Sequence, residues 1–228
     1  MDSKNRLPMP LAVLFIVLSS SCAAAPGPRP TDPVPHMPTG DAYHEPTPSL
    51  IQDAIVNGGL SLIGQETLVV KGVTYPSDCT GVVRAAYAFA DIDLAYRFGR
   101  YNGNGVRRIY MTLHDQGLLY ATSYPAPGDI IFWDNTWDAD GNKLADDELT
   151  HSGLVVASEQ DGSILYLHYH YRLGPTVEAM NLLHPDMDLG KDGRQVNAVL
   201  RMRGSPPGPG SNAAQLFRAF GRGYDLDG

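Results

Sequence analysis

The feature that most constrains the fold is a change of hydrophobic period along the chain. Apolar residues first recur at three- and four-residue intervals: Leu50, Ile51, Ala54 and Ile55; then Val82, Val83, Ala86, Tyr87, Phe89 and Ala90; then Val106, Ile109, Tyr110 and Leu113. These are the stripes of helices with one buried face. Later they come in short runs bounded by Gly, Pro or Asp, at residues 130–133, 149–156, 164–171, 177–182 and 198–202, and these read as strands. A hairpin over residues 67–75, turning at Lys71-Gly72, leads into the second helix. Helices first and a meander of strands afterwards predict an α+β domain, with an antiparallel sheet packed on that second helix.

The second helix begins at Ser77-Asp78-Cys79-Thr80-Gly81. Ser77 or Asp78 caps it, so Cys79 falls in the first turn. A sulfur there meets unpaired N–H groups and the positive end of the helix dipole, which pull a thiol pKa from about 8.5 toward roughly 3.5 to 7.5. That is a setting for a nucleophile, although a small cysteine packed as an apolar residue fits this stretch equally well.

The ends of the chain lie outside the domain. Lys4 and Arg6 precede an apolar run over residues 11–18 that is too short to span a bilayer, so residues 1–21 read as an export signal. Ser19, Ser20 and Ser21 lead into Cys22 and three alanines, which resembles a bacterial lipoprotein processing site with Cys22 carrying the lipid; cleavage after Ala24 or Ala25 by an ordinary signal peptidase is the alternative. Residues 22–48, rich in Pro, Gly, Thr and Asp, read as a spacer that buries no core, with His36 and His44 as solvated linker histidines. The domain is expected over residues 49–203. Residues 204–228 are expected to be a Pro/Gly-rich linker and a tail with a small helix near residues 213–220.

The formal net charge of -8 gives no basic footprint, which argues against nucleic acid as a partner. The chain has two cysteines. If Cys22 carries lipid, Cys79 is a solitary thiol in an oxidising compartment, and chemistry explains that better than packing.

A cysteine nucleophile needs a base, and the base needs a third group to hold its ring and tautomer. His151 opens a strand and can project from the sheet edge. Alternation in the next strand puts Tyr166, His168 and His170 on one face, so His168 can lie beside His151, with His170 as the substitute. His114, with no partner spacing, is expected to be structural.

Asp78-Cys79-Thr80-Gly81-Val82-Val83, Pro127-Gly128-Asp129-Ile130-Ile131-Phe132, His151-Ser152-Gly153-Leu154-Val155 and a hydrophobic strand carrying His168 resemble, in that order, the signature blocks of the NlpC/P-60 family of papain-like cysteine peptidases. The similarity covers residues 49 to about 203. It implies a papain-like fold, Cys79 as nucleophile, His151 as base and His168 as the orienting residue. It also implies cleavage of amide bonds in cell-wall (peptidoglycan) peptides, typically between D-glutamate and a diamino acid. The related CHAP amidases share the cysteine and histidine logic with a different cysteine block. Val69 to Pro76 replaces the family's aromatic, glycine-rich run before the cysteine; Tyr75 and Asp78 are the expected groove residues. The expected protein is an envelope lipoprotein, facing the periplasm or cell envelope and held to a membrane by lipid at Cys22. A non-catalytic wall-binding scaffold and a hydrolase of another amide are the alternatives.

The segment from Phe132 to His151 is expanded and carries Asp138, Asp140, Asn142, Asp146, Asp147 and Glu148. Aligned as a calcium loop from Asp138, it has Lys143 where glycine is needed and Leu149 where glutamate is needed. The expectation is therefore a polar turn around Asp140-Gly141-Asn142, and the proposed chemistry requires no metal and no cofactor.

Overall fold

The computed structural model describes residues 34–227; the expected export signal and Cys22 lie outside them. The elements in order are α1 (Leu50–Leu60), the hairpin β1 (Leu68–Val70) and β2 (Val73–Tyr75), α2 (Cys79–Ala88), α3 (Gly105–His114), β3 (Leu119–Tyr120), β4 (Ile130–Trp133), β5 (His151–Ser158), β6 (Ser163–His170), β7 (Gly174–Asn181) and β8 (Phe217–Gly221). A six-stranded sheet runs in the order β3-β8-β4-β5-β6-β7 with antiparallel neighbours throughout. The expected α+β class is what the chain forms.

Local chemistry sets each boundary. Ser49 and Gln52 form a reciprocal capping box on α1. Lys71 and Gly72 take positive φ, 50° and 80°, as a two-residue hairpin turn requires. Helices α1 and α2 pack closely because Gly58 lacks a side chain: a Cβ there would stand 2.3 Å from the Phe89 ring.

The sheet is covered on both sides, which explains the unbroken apolar run of β4. Ile130, Phe132, Leu154, Leu167 and Ala219 pack with Val82, Val83 and Ala86 of α2. Ile131, Trp133, Val155, Tyr166, Met180 and Phe220 pack on the opposite side with Ala198, Ala213 and Leu216. Each fully buried aliphatic side chain stabilises the fold by roughly 1.5 to 3 kcal/mol relative to exposure.

Two expectations are corrected. The tail does not form the expected small helix near residues 213–220: Phe217–Gly221 is strand β8, inserted between β3 and β4 and paired with both. Long-range pairing and burial of Arg218, Ala219 and Phe220 override the local pattern. Residues 198–202 form no strand of the sheet and make a single bridge, Val199 with Asn212. The spacer is also tied down in part, because Asp41 accepts from the Thr122 hydroxyl and the Ser123 N–H.

Candidate functional site

Asp78 is the cap that starts α2: its Oδ1 accepts from Gly81 N at 2.7 Å and from the Thr80 hydroxyl at 2.8 Å. This places Cys79 at the first helical position, half-buried. The expected drop in thiol pKa is reversed. Burial, with the Asp78 carboxylate second, pushes the Cys79 thiol up to about 11, against hydrogen bonds from the Ser152 backbone and hydroxyl and the Thr80 backbone. Desolvation and a neighbouring anion outweigh the helix terminus. The proton therefore stays on sulfur until a base takes it.

Ser152 joins the cysteine to the sheet, its hydroxyl lying 3.3 Å from the Cys79 carbonyl. His151 precedes it, and its ring lies against that of Trp133, with centroids 5.7 Å apart. Among the described residues no hydrogen bond joins His151 to the sulfur. Both nonetheless line one cleft of about 770 Å³.

The His151 ring is held from behind. Its Nε2 lies 2.9 Å from His168 Nδ1. Residue 168 pairs with Gly153 in the sheet, two positions from His151, and it is buried. The other nitrogen of His168 lies 3.2 Å from Glu178 Oε2 on β7, which also accepts from the Tyr166 hydroxyl at 3.3 Å. The His168 Nε2 hydrogen is not well aligned on that oxygen, but the nitrogen is buried and meets no other acceptor, so the carboxylate is its counterpart. Burial pushes the Glu178 carboxyl up, and the His168 contact, His170 and Tyr166 more than offset this, holding it below the usual glutamate value.

That carboxylate dictates where the protons sit. An ionised carboxylate only accepts, so in a neutral His168 the proton belongs on Nε2 and Nδ1 is the acceptor. His151 Nε2 must then carry the proton shared with His168, which leaves Nδ1 of His151 as a lone pair. Burial lowers the His151 pKa well below 6.5, and His168 and His170 lower it further, so the ring is neutral at pH 7. The arrangement holds a neutral imidazole in one tautomer, with a lone pair on Nδ1.

Asp78, Cys79, His151 and His168 all line the cleft. Tyr75 does not: it borders a smaller hollow of about 200 Å³ beside Val73 and Asp91, under the Arg84 guanidinium. The hairpin carries its ring to the outer flank of α2. His170 also borders the cleft, but its Nδ1 accepts the N–H groups of Arg172 and Leu173, both at 3.2 Å, and so closes the β6–β7 turn. Glu178, Ser152 and Trp133 were not foreseen; a lone acid inside the apolar run at residues 177–182 was the signal for Glu178.

No family model, curated protein or solved structure matches the chain. Among the described residues no helix is long and apolar enough to cross a membrane.

Proposed function

We propose that this chain is a thiol hydrolase of papain-like architecture that cuts amide bonds in peptides of the bacterial cell wall. The observation that carries the reading is the 2.9 Å contact of His151 Nε2 with His168 Nδ1 on the wall of the cleft that also holds Cys79. A cysteine opening a helix and an oriented histidine opening a strand are the parts that acyl transfer needs.

In the proposed cycle Cys79 attacks the amide carbonyl while His151 Nδ1 takes the thiol proton. The new C–S bond leaves an oxyanion, to which the reading assigns the Cys79 N–H as a donor. Collapse breaks the C–N bond, and His151 returns its proton to the leaving amine. Water, deprotonated by His151, then hydrolyses the thioester and regenerates the thiol. Trp133, fixed by its Nε1 donating to Ala213 O at 2.8 Å, backs the imidazole. The same reading puts the protein in the cell envelope, anchored through lipid at Cys22.

Purified wall fragments incubated with wild type and with Cys79→Ser, followed by mass spectrometry, test the reading. A new amine within the stem peptide, absent with Cys79→Ser, supports it. Release of the whole stem from the glycan would indicate amidase chemistry by the same residues, and equal product from both proteins would refute it.

A further inference from the structure

We propose that the loop between β4 and β5 binds a calcium ion through the carboxylates of Asp138, Asp140 and Asp147. One oxygen from each lies within 4.8 Å of the others. A solvated acidic turn needs no ion, and the separate observation here is burial. Asp147 is only 5% exposed, and its Oδ2 has no hydrogen-bond partner. Oδ1 of Asp138 is likewise buried and unpartnered. A carboxylate oxygen buried without a donor or a counter-ion is costly, and three carboxylates held this close repel one another.

Arg218, a neighbouring cation, is committed elsewhere. Arg218 takes Asp134 at 2.8 Å and Glu148 at 3.5 Å, at the base of the loop. The outer oxygens hold the turn itself: Asp138 Oδ2 accepts from Lys143 N at 3.1 Å, and Asp140 accepts from Asn142 N at 3.0 Å and from its Nδ2 at 3.1 Å. A donor set of oxygen alone, on a turn with room to adapt, suits calcium over zinc, which favours nitrogen and sulfur, and over magnesium, which demands a tight octahedron.

Both sequence objections to a cation fall away in three dimensions. Lys143 adopts the left-handed φ of 65° that glycine would supply. Leu149 belongs to the core, and the buried acid that turns toward the site is Asp147, two positions earlier. The ion would also bear on the cleft, because Trp137 precedes Asp138, lines the cleft and lies with Nε1 3.4 Å from Thr150 O.

The site is independent of the hydrolase reading and is tested without an activity assay. The full-length protein, stripped with EGTA, is titrated with calcium by calorimetry and with terbium by luminescence excited through Trp137. One ion per chain is expected. Asp147→Asn and Asp138→Asn should each weaken calcium binding by at least about tenfold, while Asp146→Asn should change it by less than about threefold. If Asp147→Asn fails to fold by circular dichroism, the exposed Asp140→Asn replaces it with the same expectation. Absence of calcium heat at millimolar concentrations, or equal affinity in wild type and the ligand variants, would overturn the proposal.

Discussion

Nε2 of His151 and Nδ1 of His168 face each other at 2.9 Å across the β5–β6 ladder, and the far nitrogen of His168 ends 3.2 Å from Glu178. Three side chains from three successive strands thus form one line from the edge strand β7 to the cleft. Its Glu178 end is an acceptor and its His151 end a lone pair, so proton direction is built into the sheet.

Replacing Glu178 tests that line. Glu178→Gln keeps an acceptor for His168 Nε2 through its amide oxygen, whereas Glu178→Ala leaves the ring free to turn. Glu178→Ala should lower kcat at least about tenfold with little change in KM, and Glu178→Gln should recover most of it. Equal losses in both variants would indicate a packing role.

The neutral thiol and neutral imidazole give a definite pH dependence. With Cys79 near 11, its thiolate is scarce at pH 7. Iodoacetamide should therefore alkylate it roughly two orders of magnitude more slowly than free cysteine, with the rate climbing toward alkaline pH. For His151 the sign is opposite to a paired histidine: its pKa lies below 6.5, so the neutral base persists as pH falls through 6.5 and is lost only in more acid solution. The acid limb of kcat/KM should lie below pH 6.5; a limb above it would contradict this environment.

Gly81 is required by space. A Cβ there would stand 1.8 Å from the Pro76 carbonyl oxygen, which is backbone and cannot step aside cheaply. Gly81→Ala should cost about 1 to 3 kcal/mol in urea unfolding and displace the start of α2.

Ending the chain after Gly204 should abolish cooperative unfolding, because β8 then vanishes from between β3 and β4 and both cores lose members. Circular dichroism against temperature reads this directly; an unchanged sharp transition would contradict the topology.

Much of this was legible in the sequence where the signal is local. The Asp78 cap, the Lys71-Gly72 turn and the alternation that puts Tyr166 and His168 on one face depend on neighbours a few residues away. What escaped depends on register. Glu178 reaches His168 only because β7 pairs Thr176 with residue 168 and Tyr166 with Glu178. Similarly, Ala213-Ala214-Gln215-Leu216 has helical composition, and the strand just after it exists only because β4 and β3 supply ladders from about a hundred residues upstream. The rise in the Cys79 pKa was hidden for a related reason: a capping motif reveals the dipole, while burial against the sheet is a tertiary property.

Acid-quenched reactions offer the most direct measurement of the central claim. Wild-type protein mixed with wall peptide fragments, stopped during turnover and peptide-mapped, should carry an acyl group as a thioester on Cys79. Product accumulating while Cys79 stays unmodified, or continued cleavage by Cys79→Ala, would contradict it.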